Sequence, residues 1–112
     1  MNCTYFADLA KQVDIPPDGI LSRTLYSDER VKVVVFGFDA GQELSEHTAS
    51  MPAILSIVQG VARLTLGSDT LDAGAGFLAH MPAQLPHSVH AKTKLVMLLL
   101  LLLPATGTSP AS

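Results

Sequence analysis

A series of short β-type runs, separated by glycine and proline, limits what this chain can fold into more than any other feature. From residue 20 onward, segments rich in valine, isoleucine, leucine and aromatic residues alternate with turn residues at close intervals. The predicted strands are residues 20–26, 31–38, 53–58, 61–66, 70–71, 77–81, 87–91 and 95–103. Many short strands joined by tight turns pack as a sandwich or close into a barrel, so the sequence predicts an all-β fold.

The two ends of the chain differ from this β-rich middle. Within residues 4–13 the apolar side chains recur at roughly helical spacing, with Thr4 as the candidate N-cap, and Pro16 ends the element. After Leu103 the sequence has nothing to bury, which predicts disorder. We therefore expect an N-terminal arm or short helix over residues 1–19, one β-domain over residues 20–103 and a disordered tail over residues 104–112.

The leucine-rich run at residues 95–103 resembles a membrane segment at first sight. It contains nine apolar residues before Pro104, whereas a membrane-spanning helix needs about 20. A short continuous apolar run is typical of a strand that is buried on both faces, although leucine does not itself favour strands. The run therefore predicts a buried strand.

The composition favours association with a second copy of the chain. Charged residues make up 15 % of the 112 residues, against about 25 % in ordinary soluble domains, while hydrophobic residues make up 48 %. One small core rarely covers so much apolar surface. We therefore expect a homodimer, in which strands of one barrel extend the sheet of the other.

Charge and cysteine content exclude some partners and indicate a compartment. The net charge is −3, and no cluster of lysine and arginine occurs, which argues against a nucleic-acid or anionic-membrane partner. The single Cys3 cannot form an intramolecular disulfide, and no basic region followed by an apolar one marks a signal peptide. These features predict a cytoplasmic protein.

Residues 41–60 contain the first candidate site. His47 lies shortly after the turn-type Gly41, and an apolar run leads to Gly60, as expected of a strand, a sharp bend and a second strand. If the chain is extended here, alternation places one imidazole, one thioether and two methyl groups on the same face. These groups belong to His47, Ala49, Met51 and Ala53.

The spacing of Gly41, His47 and Gly60 resembles the first motif of the cupins, also called germin-like or RmlC-like jelly rolls. That motif runs glycine, five residues, His-x-His, three or four residues, glutamate, six residues, glycine. Here Ala49 stands at the position of the second histidine and Ala53 at that of the glutamate. The positions therefore fit the motif, while two of its chemical groups are replaced.

The second cupin motif is matched in the same partial way. It runs glycine, five residues, Pro-x-Gly, two residues, histidine, three residues, asparagine. Gly76, Pro82 and His87 fit in register, whereas Gln84 replaces the glycine and Ala91 the asparagine. The resemblance, which spans about residues 31–103, implies a single-domain cupin jelly roll with degenerate metal-binding motifs.

The resemblance also implies which residues would hold a metal. Cupins of known activity typically bind iron, manganese, nickel or zinc in the barrel mouth through the two histidines and the glutamate of the first motif and the histidine of the second. Carried over, this leaves His47 and His87, with His80 as a possible third ligand. Because protein metal sites usually offer three or more ligands, we expect no required cofactor, or at most a weakly bound divalent transition metal.

Other titratable side chains lie near these histidines in the sequence. His90 is three residues past His87, so it points to the opposite face of an extended strand and towards solvent. Glu46 faces away from His47 for the same reason. Glu43 has the same parity as His47 but is close to the turn at Gly41, so solvation is the expected state of both carboxylates.

The two alanines imply an apolar pocket rather than a full metal site. Methyl groups in place of a histidine and a glutamate enlarge the cavity, and Met51 either fills part of it or packs in the core. Such a pocket suits a small, largely apolar molecule, with histidine as its polar anchor. The predicted lining is His47, Ala49, Met51, Ala53 and His87.

Three functions follow from this site. The first is a cupin that binds a small organic molecule without metal chemistry. The second is a metal-dependent oxygenase, isomerase or lyase that uses His47 and His87 as ligands. The third is metal-free acid/base catalysis of the epimerase kind, for which no carboxylate falls at a matching position. Neither the catalytic residues nor the ligand's identity follow from the sequence.

Overall fold

Nine antiparallel strands form two sheets in the computed structural model, which describes residues 2–104. The strands are β1 (Ile20–Ser27), β2 (Val31–Phe38), β3 (Glu43–His47), β4 (Ala53–Gln59), β5 (Ala62–Leu66), β6 (Asp69–Ala73), β7 (Leu78–Met81), β8 (His87–Ala91) and β9 (Leu95–Leu102). One sheet has the order β1-β2-β9-β4-β7 and the other the order β3-β8-β5-β6. This is the jelly roll that the resemblance implied, and it confirms the all-β prediction.

The main core lies between the two sheets. Alternate side chains of β4 point into it, with Ala53, Leu55 and Ile57 each at most 4 % exposed. The facing sheet contributes Leu64 and Val89, which are equally buried. Each fully buried aliphatic side chain contributes about 1.5–3 kcal/mol through removal of apolar surface from water, so this period-two pattern drives the sheets together.

A second, smaller core explains the leucine-rich run. Strand β9 is the central strand of its sheet and directs Leu95 and Met97 into the main core. Its other face is also covered, because Val96 packs with Val35 and with Val13 of the N-terminal segment. Both faces of β9 are therefore buried at residues 95–97, as predicted for the run, whereas residues 98–102 are only half-buried. Among residues 2–104, no helix is long and apolar enough to span a membrane.

The N-terminal segment contains a shorter helix, with a different cap, than the helical spacing over residues 4–13 indicated. The only helical element within residues 4–13 is a 3₁₀ helix at Leu9–Gln12, and its N-cap is Asp8, whose Oδ1 accepts a hydrogen bond from the Ala10 N–H at 3.1 Å. Thr4 therefore does not cap a helix. Tyr5 is 80 % exposed, so the apolar residues counted in the helical pattern do not share a buried face. The predicted disordered tail lies, from residue 105 onward, outside the described residues.

Candidate ligand site in the barrel mouth

A cavity of about 100 Å³ opens between the two sheets. All five residues that were predicted to share a pocket line this cavity. The prediction assumed that the chain is extended from residue 47 to residue 53. In fact residues 48–52 form a bend rather than a strand. The cavity is lined by His47, Ala49, Met51, Ala53, Met81, Pro82, Leu85, His87, Leu99 and Leu101. That it binds a ligand stays a prediction.

Strands β3 and β8 place the two histidines opposite each other. His47 pairs with His87 in the antiparallel ladder, and their ring centroids are 4.2 Å apart with an interplanar angle of 59°. His87 is 8 % exposed, whereas His47 is exposed at the rim. The pair therefore connects the interior of the cavity to its mouth.

A β-bulge in β3 decides which side chains face the cavity. Leu44 pairs with Val89 and His47 pairs with His87, so three steps on β3 match two steps on β8. The extra residue lets both Leu44 and His47 face inward, although simple alternation would place them on opposite faces. Glu43, which shares the parity of His47, consequently lies on the outer surface. There its carboxylate is 3.5 Å from His90 Nδ1.

Backbone carbonyls fix the tautomer of both cavity histidines. Nδ1 of His47 lies 2.9 Å from the Ser45 carbonyl oxygen, and Nδ1 of His87 lies 2.8 Å from that of Leu85. A carbonyl oxygen only accepts hydrogen bonds, so each Nδ1 carries a proton and donates it. In the neutral imidazole each Nε2 then holds a lone pair. Neither Nε2 bonds to another group in the described part of the chain.

The structure does not bring His80 to the other two histidines. On β7 it is Met81 that faces the cavity, and His80, one residue earlier, is exposed on the outer face opposite Ile54. Because neighbouring residues of a strand face opposite sides, the prediction that His80 is a possible third ligand in this cavity is wrong. His90 is partly exposed on the outer face of β8 and Glu46 is exposed, as expected. Within residues 2–104 no three histidine, cysteine, aspartate or glutamate side chains are grouped to hold a metal ion.

The cavity does not fit the four-ligand metal set of the family. His47 and His87 supply two imidazoles, but Ala49 and Ala53 present methyl groups at the two other motif positions. Structural and catalytic zinc sites use three or four protein ligands, so two imidazoles fall short of such a site.

Five cavity residues escaped the sequence analysis. Leu99 and Leu101 share the inward face of β9 with Leu95. Alternation along the predicted strand would have been enough to place them there. Met81 and Leu85 flank a loop across which alternation cannot be counted, so only the fold reveals their position. Pro82 belongs to the second motif, but the motif does not say which way its ring points.

Comparison with known proteins supports the architecture. No protein-family profile and no curated protein matches the chain. Among solved structures, a conserved protein of unknown function from Streptococcus pyogenes is 32 % identical, with a TM-score of 0.81 over 95 % of this chain and 93 % of that one. A cupin superfamily protein from Desulfitobacterium hafniense is 24 % identical, with a TM-score of 0.82 over 93 % of this chain and 95 % of that one.

A third similar structure is named as a cupin barrel domain protein. The cupin 2 conserved barrel domain protein from Leptotrichia buccalis is 27 % identical, with a TM-score of 0.77 over 84 % of this chain. This chain covers 46 % of that protein, so the likeness concerns one barrel of a longer chain. Taken with the two motifs in register and the two-sheet topology, these similarities show that the chain has the cupin jelly-roll fold.

Proposed function

We propose that this cupin binds a small, largely apolar organic molecule in the barrel mouth. The observation that carries the proposal is the contrast within the cavity lining. Eight of its ten residues are apolar, and the two others, His47 and His87, have Nε2 atoms without a protein partner in the described chain. Apolar walls with a few convergent polar groups are typical of small-molecule sites.

The cavity volume limits the size of the buried group. An engineered cavity of about 150 Å³ in another protein binds benzene. A cavity of about 100 Å³ therefore accepts a somewhat smaller group. Because His47 is exposed at the rim, any larger part of the ligand would project through the mouth.

The two imidazoles define the polar end of the ligand. Since both Nδ1 atoms donate to carbonyls, the neutral pair offers two Nε2 acceptors and no donor. A hydroxyl or amide N–H group complements this state. A carboxylate, which only accepts hydrogen bonds, does not complement two acceptors.

The experiment that tests the proposal is a ligand screen by thermal shift and NMR on protein treated with chelator. Small alcohols, phenols, amides and carboxylic acids form the library. His47→Ala should weaken binding of a hit about tenfold, the effect of one hydrogen bond of about 1.4 kcal/mol. His90→Ala, on the outer face of β8, is the matched control and should bind as the wild type does. Equal binding by both variants would refute the anchoring role of His47.

A metal-dependent enzyme is the second candidate, favoured by one observation. Hydrogen bonds from Nδ1 to backbone carbonyls are the usual outer-shell support of metal-ligating histidines, and both cavity histidines have them. Metal content after purification without a tag or chelator tests it, and His47→Ala with undiminished content would contradict it. Epimerase-like acid/base catalysis gains no comparable support, because none of the residues that line the cavity is a carboxylate.

We also propose that the protein forms a homodimer through the outer face of the five-stranded sheet. The N-terminal segment covers this face only around Val96. Beyond it, Leu100 is half-buried, its cross-strand neighbours are Val33 and Ile54, and Leu78 on the adjoining strand is 67 % exposed. The exposed His80 lies beside Ile54 at the edge of this patch, and the two-fold axis of a dimer would bury the apolar side chains of one copy against those of the other.

A further inference from the structure

The cavity combines two kinds of donor atom that suit soft metal ions. Besides the two imidazoles, its lining includes the thioethers of Met51 and Met81. Of the chain's four methionines, a third, Met97, packs in the main core and does not line the cavity. The residues that line the cavity therefore carry two imidazoles and two thioethers, and none of them carries a carboxylate.

The fold places these four residues around the same cavity. Met81 is 3 % exposed on β7 and pairs with Ala53 across the ladder to β4. Met51 lies in the bend two residues before Ala53 and is half-buried. The small side chain of Ala53 leaves room beside it, and a methionine side chain, with three rotatable bonds, can turn its sulfur into such a gap.

The identity of the donors selects the kind of metal. Thioether and imidazole ligands suit Cu(I), whereas carboxylate, carbonyl and water suit the harder ions Mg²⁺, Ca²⁺ and Mn²⁺. The charge of the site favours the same ion. With no anionic ligand in the lining, a divalent cation would keep its full charge among apolar walls, and the Born cost of desolvation rises with the square of the charge.

We propose that the barrel mouth is a binding site for a soft monovalent cation, Cu(I), held by Nε2 of His47 and His87 and by the thioethers of Met51 and Met81. The carbonyl-bound Nδ1 atoms already present both Nε2 lone pairs, so no change of tautomer is needed. The inference goes beyond the proposed function, since it names a ligand that the organic-molecule screen, run in chelator, does not contain.

The test is a competition titration with Cu(I) under anaerobic conditions against a chromogenic Cu(I) chelator, repeated with Ag(I) as a probe that does not change oxidation state. All proteins carry Cys3→Ser, because Cys3 is an exposed free thiol that would bind both ions. We expect one ion per chain and binding of Zn²⁺ at least about 100-fold weaker, as the absence of thiolate and carboxylate ligands implies.

Isosteric variants decide whether the sulfur atoms take part. Met51→Leu and Met81→Leu keep the volume and cost the fold less than about 1.5 kcal/mol, and each should weaken Cu(I) binding at least about tenfold. Met97→Leu, also a buried methionine but outside the cavity, is the matched control and should leave affinity unchanged. Circular dichroism of each variant establishes that it is folded.

Three results would overturn the proposal. They are wild-type protein that fails to compete with the chelator, Zn²⁺ bound more tightly than Cu(I), and thioether variants that bind as Met97→Leu does. If only one of the two thioether variants lost Cu(I) binding, the sulfur of the other methionine would not be a ligand, and the four-donor assignment would be wrong. None of these results affects the chelator-treated ligand screen, so failure of this inference and failure of the proposed function are distinguishable.

Discussion

His47 and His87 face each other across the β3–β8 ladder with ring centroids 4.2 Å apart, and each donates its Nδ1 proton to the carbonyl of the residue two positions earlier. The same local geometry is therefore built twice, once on each strand. It directs both Nε2 atoms away from these carbonyl groups, and the two rings contact each other. The pair is thus a preorganised polar feature in an otherwise apolar cavity.

Restoring the missing motif residues should create a divalent metal site. The double variant Ala49→His, Ala53→Glu would supply the histidine and the glutamate that the family's motif contains. Ala53 is 4 % exposed, so the metal-free variant should be less stable because it buries an unpaired carboxylate. Zn²⁺ at about 100 times its dissociation constant should add about 2.7 kcal/mol. Thermal unfolding with and without Zn²⁺ measures this effect.

The wild type and Ala49→His alone are the controls for that design. We expect Zn²⁺ to stabilise both of them much less, because each lacks the glutamate. A double variant that gains no stability from Zn²⁺ would show that the two motif positions do not converge with His47 and His87.

Two glycines with similar backbone angles should differ in their tolerance of alanine. Gly41 has φ +86° and Gly60 has φ +89°, but a Cβ at residue 41 would meet nothing within 4 Å, whereas one at residue 60 would meet the Lys94 carbonyl oxygen. Gly41→Ala should therefore lower the free energy of unfolding by only about 1–2 kcal/mol, the strain of an alanine in the left-handed conformation. Gly60→Ala should cost about 3 kcal/mol or more. Urea unfolding compares the two, and equal losses would contradict the steric argument.

Part of the acid sensitivity of the fold should come from Asp39. Its carboxylate accepts hydrogen bonds from the N–H groups of Asp18 at 2.8 Å and Ala40 at 2.9 Å, which hold the pKa of Asp39 below its ordinary value. A lowered folded-state pKa gives stability that is present above the ordinary carboxyl pKa, about 4, and is lost as the pH falls through the lowered value. Asp39→Asn should therefore lose stability less steeply below about pH 4.

Urea midpoints between pH 7 and pH 2 measure that slope. Asp69→Asn is the control, because the Asp69 side chain makes no hydrogen bond among residues 2–104. A slope for Asp39→Asn that is as steep as that of the wild type would mean that other carboxylates, such as Asp72 beside Lys92 and Arg63, account for the acid sensitivity.

A lysine on the outer face of the five-stranded sheet should dissociate the proposed homodimer. Leu78→Lys changes a side chain that is 67 % exposed, so the fold of the single chain should tolerate it. In the dimer it would place like charges within one apolar interface. Light scattering at micromolar concentration should give a dimer mass for the wild type and for Tyr5→Lys, and a monomer mass for Leu78→Lys. A monomeric wild type would refute the dimer.

The order of strands and turns follows from the sequence alone. Strands β2 and β8 have the predicted bounds of residues 31–38 and 87–91, because runs of valine or alternating apolar residues end at clear turn signals. Motif spacing likewise predicted that His47 and His87 share one cavity. These features are local, or depend on spacing that the jelly roll conserves. For that reason a single chain is enough to read them.

Only the tertiary structure decided which way several side chains point. Alternation gave Glu43 the facing of His47, but the bulge in β3 sends Glu43 outward, and that bulge depends on pairing with β8. The Pro-containing loop hid the facing of His80, which register with β4 places outside the cavity. Which face of a strand points inward depends on its pairing register, and that register is fixed by contacts between residues far apart in the chain. The sequence therefore determined the fold and the histidine pair, whereas tertiary packing determined the rest of the site.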